Sequence, residues 1–434
     1  MMARVLYGLA WHLALPLVLL RLWWRGRREP GYRQHVAERF GFYPAPASAA
    51  GALIWVHAVS VGETRAAQPL VEALLQAHPE ARILLTHMTP TGRATGASLF
   101  GSLAGRLHQC YLPYDTGWAV ARFLRTFKPA LGILMETEVW PTLLHQCKRF
   151  GVPVALVNAR LSERSHAKAQ KLAPLMLPAA QCITLVAAQT AGDAARLSSL
   201  GLKEVHVTGS VKFDVTVPLP MLQKAALLRS RMRVERVLLA ASTREGEEAL
   251  LLDAWLAAPP AGALLAMVPR HPQRFEEVAS MASEHGFTVL RRSRPTDEVD
   301  PASCERTLFL GDSMGEMFAY YAASDVAYIG GSLLPLGGQN LIEAAAVGKP
   351  ILVGPHTFNF ADSTEDAIAR GGALRCPDAP AVIGEATRLL DDPVLRAGMG
   401  RRALEFAQSH RGATDRTVAL LAPLLKASDR TAAA

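Results

Sequence analysis

Several predicted strands end at polar side chains, and the first of these is suited to proton chemistry. Glu63 follows the strand-like run 53–59 and the turn 60–62, at the start of a helix-like segment. A carboxylate there can accept a proton from a nucleophile. Because a helix dipole favours anions near its N-terminus, we expect Glu63 to be ionised at neutral pH. The alternative is a glutamate with only a local electrostatic role at a helix start.

Two later strand ends carry similar groups. Glu136 and Glu138 stand two residues apart, directly after the run 130–135. In extended backbone they would share one face and in a turn they would diverge, so one could bind substrate while the other caps. Asn158 and Arg160 follow the next strand-like run, and their amide and guanidinium suit hydroxyls and anions.

The most informative stretch is glycine-rich. The run 325–329 has the length and residue types of a buried strand, and it is followed by the turn 330–332. Gly338 and Asn340 belong to the segment 337–340, which opens a predicted helix that carries Glu343. Free N–H groups at a helix start suit a phosphate, and a carboxylate one turn inside could accept hydrogen bonds from sugar or ribose hydroxyls. This combination favours a nucleotide-activated sugar over an ordinary βα turn.

Cationic groups follow another strand in the same half of the chain. Arg270 and His271 lie between two prolines and offer donors to a phosphate or carboxylate. The segment 242–248 is predicted to start a helix, and capping of that helix is a sufficient explanation for its acidic residues. The histidines lack HxH and HExxH spacing and the five cysteines are scattered singly, so we expect no bound metal and a reducing compartment.

The elements that must position these groups alternate regularly. With 434 residues, 50% hydrophobic and 19% charged, the chain is long enough for two folded domains and is not disordered. Strand-like runs alternate with helical segments, which predicts an α/β fold of two doubly wound, Rossmann-like domains facing a central cleft. The predicted strands are 53–59, 81–86, 130–135 and 152–158, then 236–241, 263–268, 288–290, 307–310, 326–329 and 350–353.

The N-terminal segment is apolar and then basic. Val5 to Leu20 carries no formal charge, and residues 21–28 are rich in arginine and tryptophan. Sixteen helical residues reach about 24 Å, short of the ~30 Å membrane core unless the helix extends through Trp24, and a buried helix is the alternative. The arginines predict an uncleaved anchor in the inner membrane with the rest of the chain on its cytoplasmic side.

The net charge of +8 does not indicate nucleic-acid binding, because residues 1–44 hold seven arginines against two glutamates and the remainder is nearly balanced. A proline pair near residue 218 separates the two strand series. We predict an anchor and basic segment at 1–44, a first domain at 45–209, a linker at 210–233, a second domain at 234–412, and a closing helix and tail at 413–434, with the helix crossing back onto the first domain.

Taken together, these segments resemble the bacterial 3-deoxy-D-manno-octulosonic acid (Kdo) transferases of lipid A assembly. The matching segments run in consistent order through ERFG (38–41), HAVSVGE (57–63), METEVWP (135–141), NARLS (158–162), TGSVKFD (208–214), ASTREGEE (241–248), PRHPQRF (269–275), GDSMGE (311–316), GGSLLPLGGQNLIEAAAVGKP (330–350) and GPHTFNF (354–360). An ordered set of this kind is far more specific than any one member.

The resemblance implies the GT-B architecture, a membrane-associated N-terminus, and inverting, metal-independent transfer of Kdo from CMP-Kdo to lipid IVA in the cytoplasmic leaflet. CMP-Kdo is then a co-substrate, and no cofactor is expected. Glu63 falls on the family's catalytic base. The donor-binding positions carried over are Ser242, Arg270, His271, Met314, Gly315, Gly338, Asn340, Glu343 and Lys212. The acceptor candidates are Arg33, Glu38, Arg39 and Glu138, of which the first three could meet lipid A phosphates or be structural.

Three departures from the family pattern put only fine donor contacts in doubt: Ser210 where the family has asparagine, Gln339 where histidine is common, and Ile342-Glu343-Ala344 in place of a proline-containing version. Two other functions stay open from the sequence. A nucleotide-sugar 2-epimerase has the same two-domain plan but needs no membrane segment. A membrane-tethered sugar-nucleotide binding protein would keep the second-domain motifs without needing a carboxylate at position 63.

Overall fold

The computed structural model describes residues 2–44, 51–103, 105–294, 296 and 298–432. The chain divides into two compact units, Met1–Asp214 with Arg411–Ala434, and Val215–His410. The division after Asp214 falls inside the segment 210–233, whereas residue 45, the predicted start of the first domain, lies outside the described residues.

Seven strands of the first unit, within the described ranges, form one parallel sheet in the order β3-β2-β1-β4-β5-β6-β7. Its strands are β1 (Leu53–His57), β2 (Arg82–His87), β3 (Leu107–Tyr111), β4 (Leu131–Met135), β5 (Val154–Ala159), β6 (Leu185–Ala188) and β7 (Val205–Val207). The four predicted strands are confirmed. Three were missed, because β3 is interrupted by His108 and Gln109 and because β6 and β7 are only four and three residues long.

The second unit repeats the plan with the order β10-β11-β9-β8-β12-β13-β14, again all parallel. Its strands are β8 (Arg236–Thr243), β9 (Ala263–Pro269), β10 (Thr288–Arg291), β11 (Thr307–Leu310), β12 (Val326–Ile329), β13 (Ile351–Val353) and β14 (Ala373–Arg375). All six predicted strands are present, and only the three-residue β14 was not predicted.

Helices lie between the strands and supply the apolar faces that cover both sheets. In the first unit they are α1 (Met2–Arg28), α2 (Val61–Ala77), α3 (Pro90–Phe100), α4 (Gly117–Phe127), α5 (Pro141–Arg149), α6 (Glu163–Lys171), α7 (Ala173–Ala180), α8 (Ala191–Ser199) and, from the C-terminus, α17 (Ala413–Ala432). In the second they are α9 (Leu219–Met232), α10 (Glu247–Ala257), α11 (Phe275–Glu284), α12 (Met317–Ala323), α13 (Ile342–Ala346), α14 (Ala361–Ala369), α15 (Ala379–Asp391) and α16 (Pro393–Ser409). Central strands such as β4 are buried along their whole length, as sheets covered on both faces require.

The connections run in opposite directions from one point in each sheet. In the first sheet this switch point lies between β1 and β4, and in the second between β8 and β12. Ligands of open α/β sheets bind outside the carboxyl ends of the strands at such points. The fold therefore predicts a site in each unit, just where the polar strand ends of the sequence occur.

The closing helix α17 returns to the first unit, as predicted. Leu421 and Leu425 are buried in that unit's core. The Asp214 carboxylate accepts the Gly412 N–H at 2.6 Å and also the Thr414 N–H, just before and inside the first turn of the helix. The motif aspartate thus fixes the start of α17, a role that its position in the sequence did not reveal.

Helix α1 is 27 residues long, about 40 Å at 1.5 Å per residue, and so exceeds the apolar run from which it was predicted. Among the described residues, the helix Met2–Arg27 alone is apolar and long enough to cross a membrane. One face packs on its own unit: the Tyr7 hydroxyl donates to Asp115 at 2.9 Å, and Trp11 stacks on Tyr114. The opposite face is exposed and apolar, with Leu6, Leu9, Leu13, Leu17 and Leu20.

Candidate functional site

Glu63 lies beside the switch point of the first sheet, in the first turn of α2. One carboxylate oxygen accepts the Val59 N–H at 2.7 Å, and the other accepts the Ser60 hydroxyl at 3.3 Å. The chain between β1 and α2 thus holds the side chain from both sides. It is partly buried, so that a bound molecule could still reach it.

The charge state of Glu63 differs from the expectation. Burial raises the pKa of its carboxyl from the usual 4.5 to about 7, the neighbouring Glu138 and Glu136 carboxylates add to the rise, and the Val59 N–H opposes it. Desolvation of the charged form therefore outweighs the helix start. Glu63 was predicted to be ionised at neutral pH, and a pKa of about 7 makes it only partly ionised there, a carboxyl poised to exchange a proton.

Glu136 follows β4 on the other side of the same switch point. Its backbone has φ +60°, a left-handed conformation that is rare for glutamate and typical of functional strand ends. The carboxylate pairs with the Lys212 ammonium at 2.7 Å. Lys212, predicted to reach the donor, therefore has an acidic partner within the first unit.

Asn158 positions the segment that carries Lys212. It is fully buried with φ +54°, and its side-chain oxygen accepts the Ser210 hydroxyl at 3.1 Å and the Val211 N–H at 3.3 Å. Ser210, one of the departures from the family pattern, thus has a defined partner. The sequence suggested that this amide binds substrate hydroxyls, but its oxygen is engaged inside the protein.

Glu138 is the third carboxylate at this edge. It accepts the Trp140 indole N–H at 2.6 Å, and burial raises the pKa of its carboxyl, with Glu136 adding to the effect. Glu136 and Glu138 therefore have different surroundings. Glu136 pairs with Lys212, whereas Glu138 lies in a partly desolvated position against the Trp140 ring.

The acceptor candidates near the N-terminus separate into two kinds. Glu38 and Arg39 are buried: Glu38 pairs with Arg93 at 2.6 Å and accepts the Tyr111 N–H at 2.8 Å, while the Arg39 guanidinium stacks on the Tyr111 ring. These contacts favour the structural alternative for both residues. Arg33 is exposed in the short 3-10 helix Pro30–Arg33 that follows α1, and it donates to the Trp23 carbonyl of α1 at 2.9 Å.

In the second unit the switch point is formed by β8 and the glycine turn after β12. Ser242 has φ +56°, the third strained strand end among the motif residues. A Cβ on Gly330 would come within 2.6 Å of the Ser242 carbonyl oxygen, so only glycine permits this approach. Gly331 follows with φ +72°.

Glu247 fixes this turn and was missed as a site residue. Its fully buried carboxylate accepts the Tyr328 hydroxyl at 2.8 Å, the Leu333 N–H at 2.9 Å and the Gly331 N–H. Its position in the first turn of α10 reads as an ordinary capping glutamate. Glu247 does accept the Arg244 N–H at 3.1 Å, as a capping residue would, but the partners that fix the turn lie 81 to 86 residues further along the chain, so no local signal marks that role.

The expected phosphate cradle differs in detail. Helix α13 begins at Ile342, later than predicted, and has five residues. The N–H groups of Gly338 and Gln339 donate to the carbonyls of the turn 330–331, and the Ile342 N–H donates to the Asn340 side chain at 3.0 Å. These three amides, which the sequence left free for an anion, are thus used by the chain itself.

Asn340 also donates to Glu343, from its side-chain nitrogen to the carboxylate at 3.3 Å. Met314 and Gly315 lie in the loop after β11, where Met314 is 51% exposed and Gly315 has φ +78°. An exposed thioether beside a left-handed glycine offers a flexible apolar surface for a planar group.

Positive charge gathers at the end of β9. Arg270 donates to the Gln339 side chain at 3.2 Å. Partial burial, followed by the charges of Arg244, Arg270 and Arg274, lowers the pKa of His271, which favours the neutral imidazole at pH 7. The positive charges that disfavour protonation of His271 also favour binding of an anion, because an anion would reduce the repulsion among them.

Two doubly wound units with functional groups at their switch points define the GT-B fold class. The crystal structure of UDP-GlcNAc 2-epimerase from Neisseria meningitidis shares the fold at a TM-score of 0.59, covering 86% of this chain and 100% of that one at 16% identity. At this identity the likeness shows the fold alone, and the predicted fold class is confirmed.

The sequence comparisons identify the family. The model of the family described as 3-Deoxy-D-manno-octulosonic-acid transferase (kdotransferase) matches residues 34–215. The 3-deoxy-D-manno-octulosonic acid transferase of Bordetella pertussis is 46% identical over 96% of this chain and 98% of its own length, and that of Haemophilus influenzae is 36% identical over 95% and 96%. The chain belongs to the Kdo transferase family and is a glycosyltransferase of lipopolysaccharide biosynthesis, which sets the epimerase and binding-protein alternatives aside.

Proposed function

We propose that the chain transfers Kdo from CMP-Kdo to lipid IVA, with inversion at the anomeric carbon and without a metal ion, at the cytoplasmic face of the inner membrane. The observation that carries the proposal is the partly buried Glu63 carboxyl at the switch point of the first unit, with a pKa of about 7. A general base works best when its pKa lies near the working pH.

In the proposed reaction, the 6′-hydroxyl oxygen of lipid IVA attacks the anomeric carbon of Kdo. The bond from that carbon to the CMP phosphate oxygen breaks, and the phosphate takes the bonding electron pair. The hydroxyl proton passes to Glu63, whose Val59 and Ser60 contacts fix its direction. Attack on the face opposite the leaving group inverts the configuration.

The donor belongs to the second unit in this proposal. The charges of Arg270 and its neighbours offset the charge that develops on the leaving phosphate. Ser242 and Gly338 bring backbone close to the nucleotide, Met314 and Gly315 present a surface to the base, and Asn340 with Glu343 receives ribose hydroxyls. His271 adds a hydrogen-bond donor, and its imidazole takes up a proton when the phosphate is bound.

The acceptor belongs to the first unit. We assign Glu138 to the sugar hydroxyls and Arg33 to a lipid phosphate, because Arg33 is exposed in the short 3-10 helix that follows the apolar helix α1. Glu38 and Arg39 act indirectly, by holding the segment after α1. Lys212 keeps Glu136 neutralised and reaches the donor only if that pair opens. Helix α1 anchors the chain through its exposed leucine face.

The test is to form CMP-Kdo first, to add an excess of EDTA, and only then to add the purified protein and lipid IVA and weigh the lipid by mass spectrometry. A mass increase of one or more Kdo units is expected, and the configuration of the new linkage is then read by NMR. An unchanged lipid from protein that binds CMP would contradict the acceptor, and activity restored only by added divalent cation would contradict metal independence.

A further inference from the structure

A cavity of about 290 Å³ lies in the first unit, between the carboxyl ends of β4 and β5 and the helices α6 to α8. Its walls are mostly aliphatic and include Leu156, Leu161, Met176, Ile183, Leu197 and Leu202. The cavity is partly open to the surface, so that a molecule from outside can enter it. A space of this size and lining is suited to an apolar ligand.

Polar and charged groups also contribute to the lining of this cavity. Glu136 and Thr137 contribute to its lining from the end of β4, and Arg160 and Lys168 contribute cationic groups. Glu136 is close enough to Glu63 to raise the pKa of that carboxyl. A ligand with its apolar part in the cavity would thus have its polar end near cationic groups and near the proposed base.

Helix α7 connects the cavity with the membrane-anchor region. Met176 and Ala180 line the cavity, while Leu175 and Pro178 line a second space of about 300 Å³ that also contacts Arg4 of α1. The short helix therefore separates the cavity from α1, whose outer face is apolar. This arrangement favours an occupant that arrives from a lipid surface over one from bulk water.

We propose that the cavity binds one acyl chain of the acceptor lipid, with an acceptor phosphate at Arg160 and Lys168, and that this contact positions the reacting hydroxyl at Glu63. The inference rests on the proposed function, since it takes the acceptor to be an acylated, phosphorylated sugar. It adds a specificity element: the enzyme recognises the lipid part of its acceptor as well as the sugar.

The first experiment fills the cavity and compares two acceptors. Ala169 lines the cavity from α6, whereas Ala167 on the same helix is exposed and does not. With Ala169→Phe we expect the KM for lipid IVA to rise about tenfold, the effect of withdrawing roughly two methylenes from an apolar site. The KM values for CMP-Kdo and for the fully deacylated disaccharide bisphosphate should stay unchanged, and Ala167→Phe should behave as wild type.

Met176→Trp fills the same space from α7 and guards against a folding defect in the first variant. Thermal unfolding of each variant shows that the chain is intact. Equal losses on the acylated and deacylated acceptors, or no loss from either filling variant, would overturn the proposal.

The second experiment needs no turnover. A dodecyl phosphate with a diazirine at the end of its chain is photolysed with the full-length protein, and labelled peptides are located by mass spectrometry. We expect labels in the segment 183–202, removed by excess lipid IVA and by Ala169→Phe. Labels confined to α1, or labels displaced equally by bulk phospholipid, would refute the acceptor assignment. A labelled cavity in a protein that transfers no Kdo to lipid IVA would instead locate the failure in the proposed function.

Discussion

The edges of the two sheets at which the strands end share one backbone feature but differ in the sign of the charges nearby. In each unit a residue other than glycine adopts a left-handed conformation beside the switch point, Glu136 in the first and Ser242 in the second. The charged neighbours then differ in sign: the carboxylates Glu136 and Glu138 act on Glu63 at the first edge, and the guanidiniums of Arg244, Arg270 and Arg274 act on His271 at the second.

The difference shows that neighbouring charges can raise the pKa of one group and lower the pKa of another. At the first edge, burial and neighbouring carboxylates raise the pKa of Glu63, so that it can take a proton near neutral pH. At the second edge, burial and neighbouring arginines lower the pKa of His271, which favours the neutral imidazole at pH 7. One edge is prepared for a proton and the other for an anion.

The strongest test of this comparison is removal of the proposed base. Glu63→Gln keeps the size of the side chain, and its amide can still accept the Val59 N–H and donate to the Ser60 hydroxyl, but it cannot take the proton, so we expect kcat to fall about 10²- to 10⁴-fold. The Kd for CMP, measured by calorimetry, should not change because the second edge is untouched. Near wild-type turnover would show that Glu63 does not act as the base.

The second edge is tested by removing an anion donor. Arg270→Ala should raise the KM for CMP-Kdo about 10- to 100-fold, the effect of losing a charge-assisted hydrogen bond, while the KM for the acceptor stays constant. Arg236→Ala is the matched control, because Arg236 lies at the opposite end of β8 and pairs with Asp391 on the surface. Equal effects of the two variants would mean that only net charge matters.

Sequence reasoning located both edges but not their internal support. Strand ends followed by polar residues are visible in the chain, so Glu63 and the glycine turn were singled out from the residues themselves, whereas Ser242 came from the family resemblance. The ionisation of Glu63 was misjudged, because it depends on burial and on Glu136 and Glu138, more than seventy residues away. Glu247 was read as a cap for the same reason: its partners meet it only after the sheet forms.

Replacement of Glu247, which supports the second edge, should have an effect of intermediate size. Glu247→Gln places an amide nitrogen among groups that donate to the carboxylate, so it should destabilise the second unit by about 1–3 kcal/mol and weaken CMP binding. Glu245→Gln is the control, because the side chain of Glu245 is 86% exposed two residues away. Thermal unfolding with and without CMP measures both effects, and unchanged stability would show that the turn holds its shape unaided.

The smallest expected effect concerns the pH profile at the first edge. Glu63 must be deprotonated to accept a proton, and its pKa is about 7, so kcat/KM should fall as pH drops through 7 and level off above it. Glu138→Gln removes a negative neighbour that raises this pKa, so the acid limb should move to lower pH whatever happens to absolute activity. Glu72→Gln, on the exposed side of α2, should leave the profile in place. A limb unmoved by Glu138→Gln would mean that Glu138 does not contribute to the proton affinity of Glu63, and that its carboxylate serves the acceptor rather than the base.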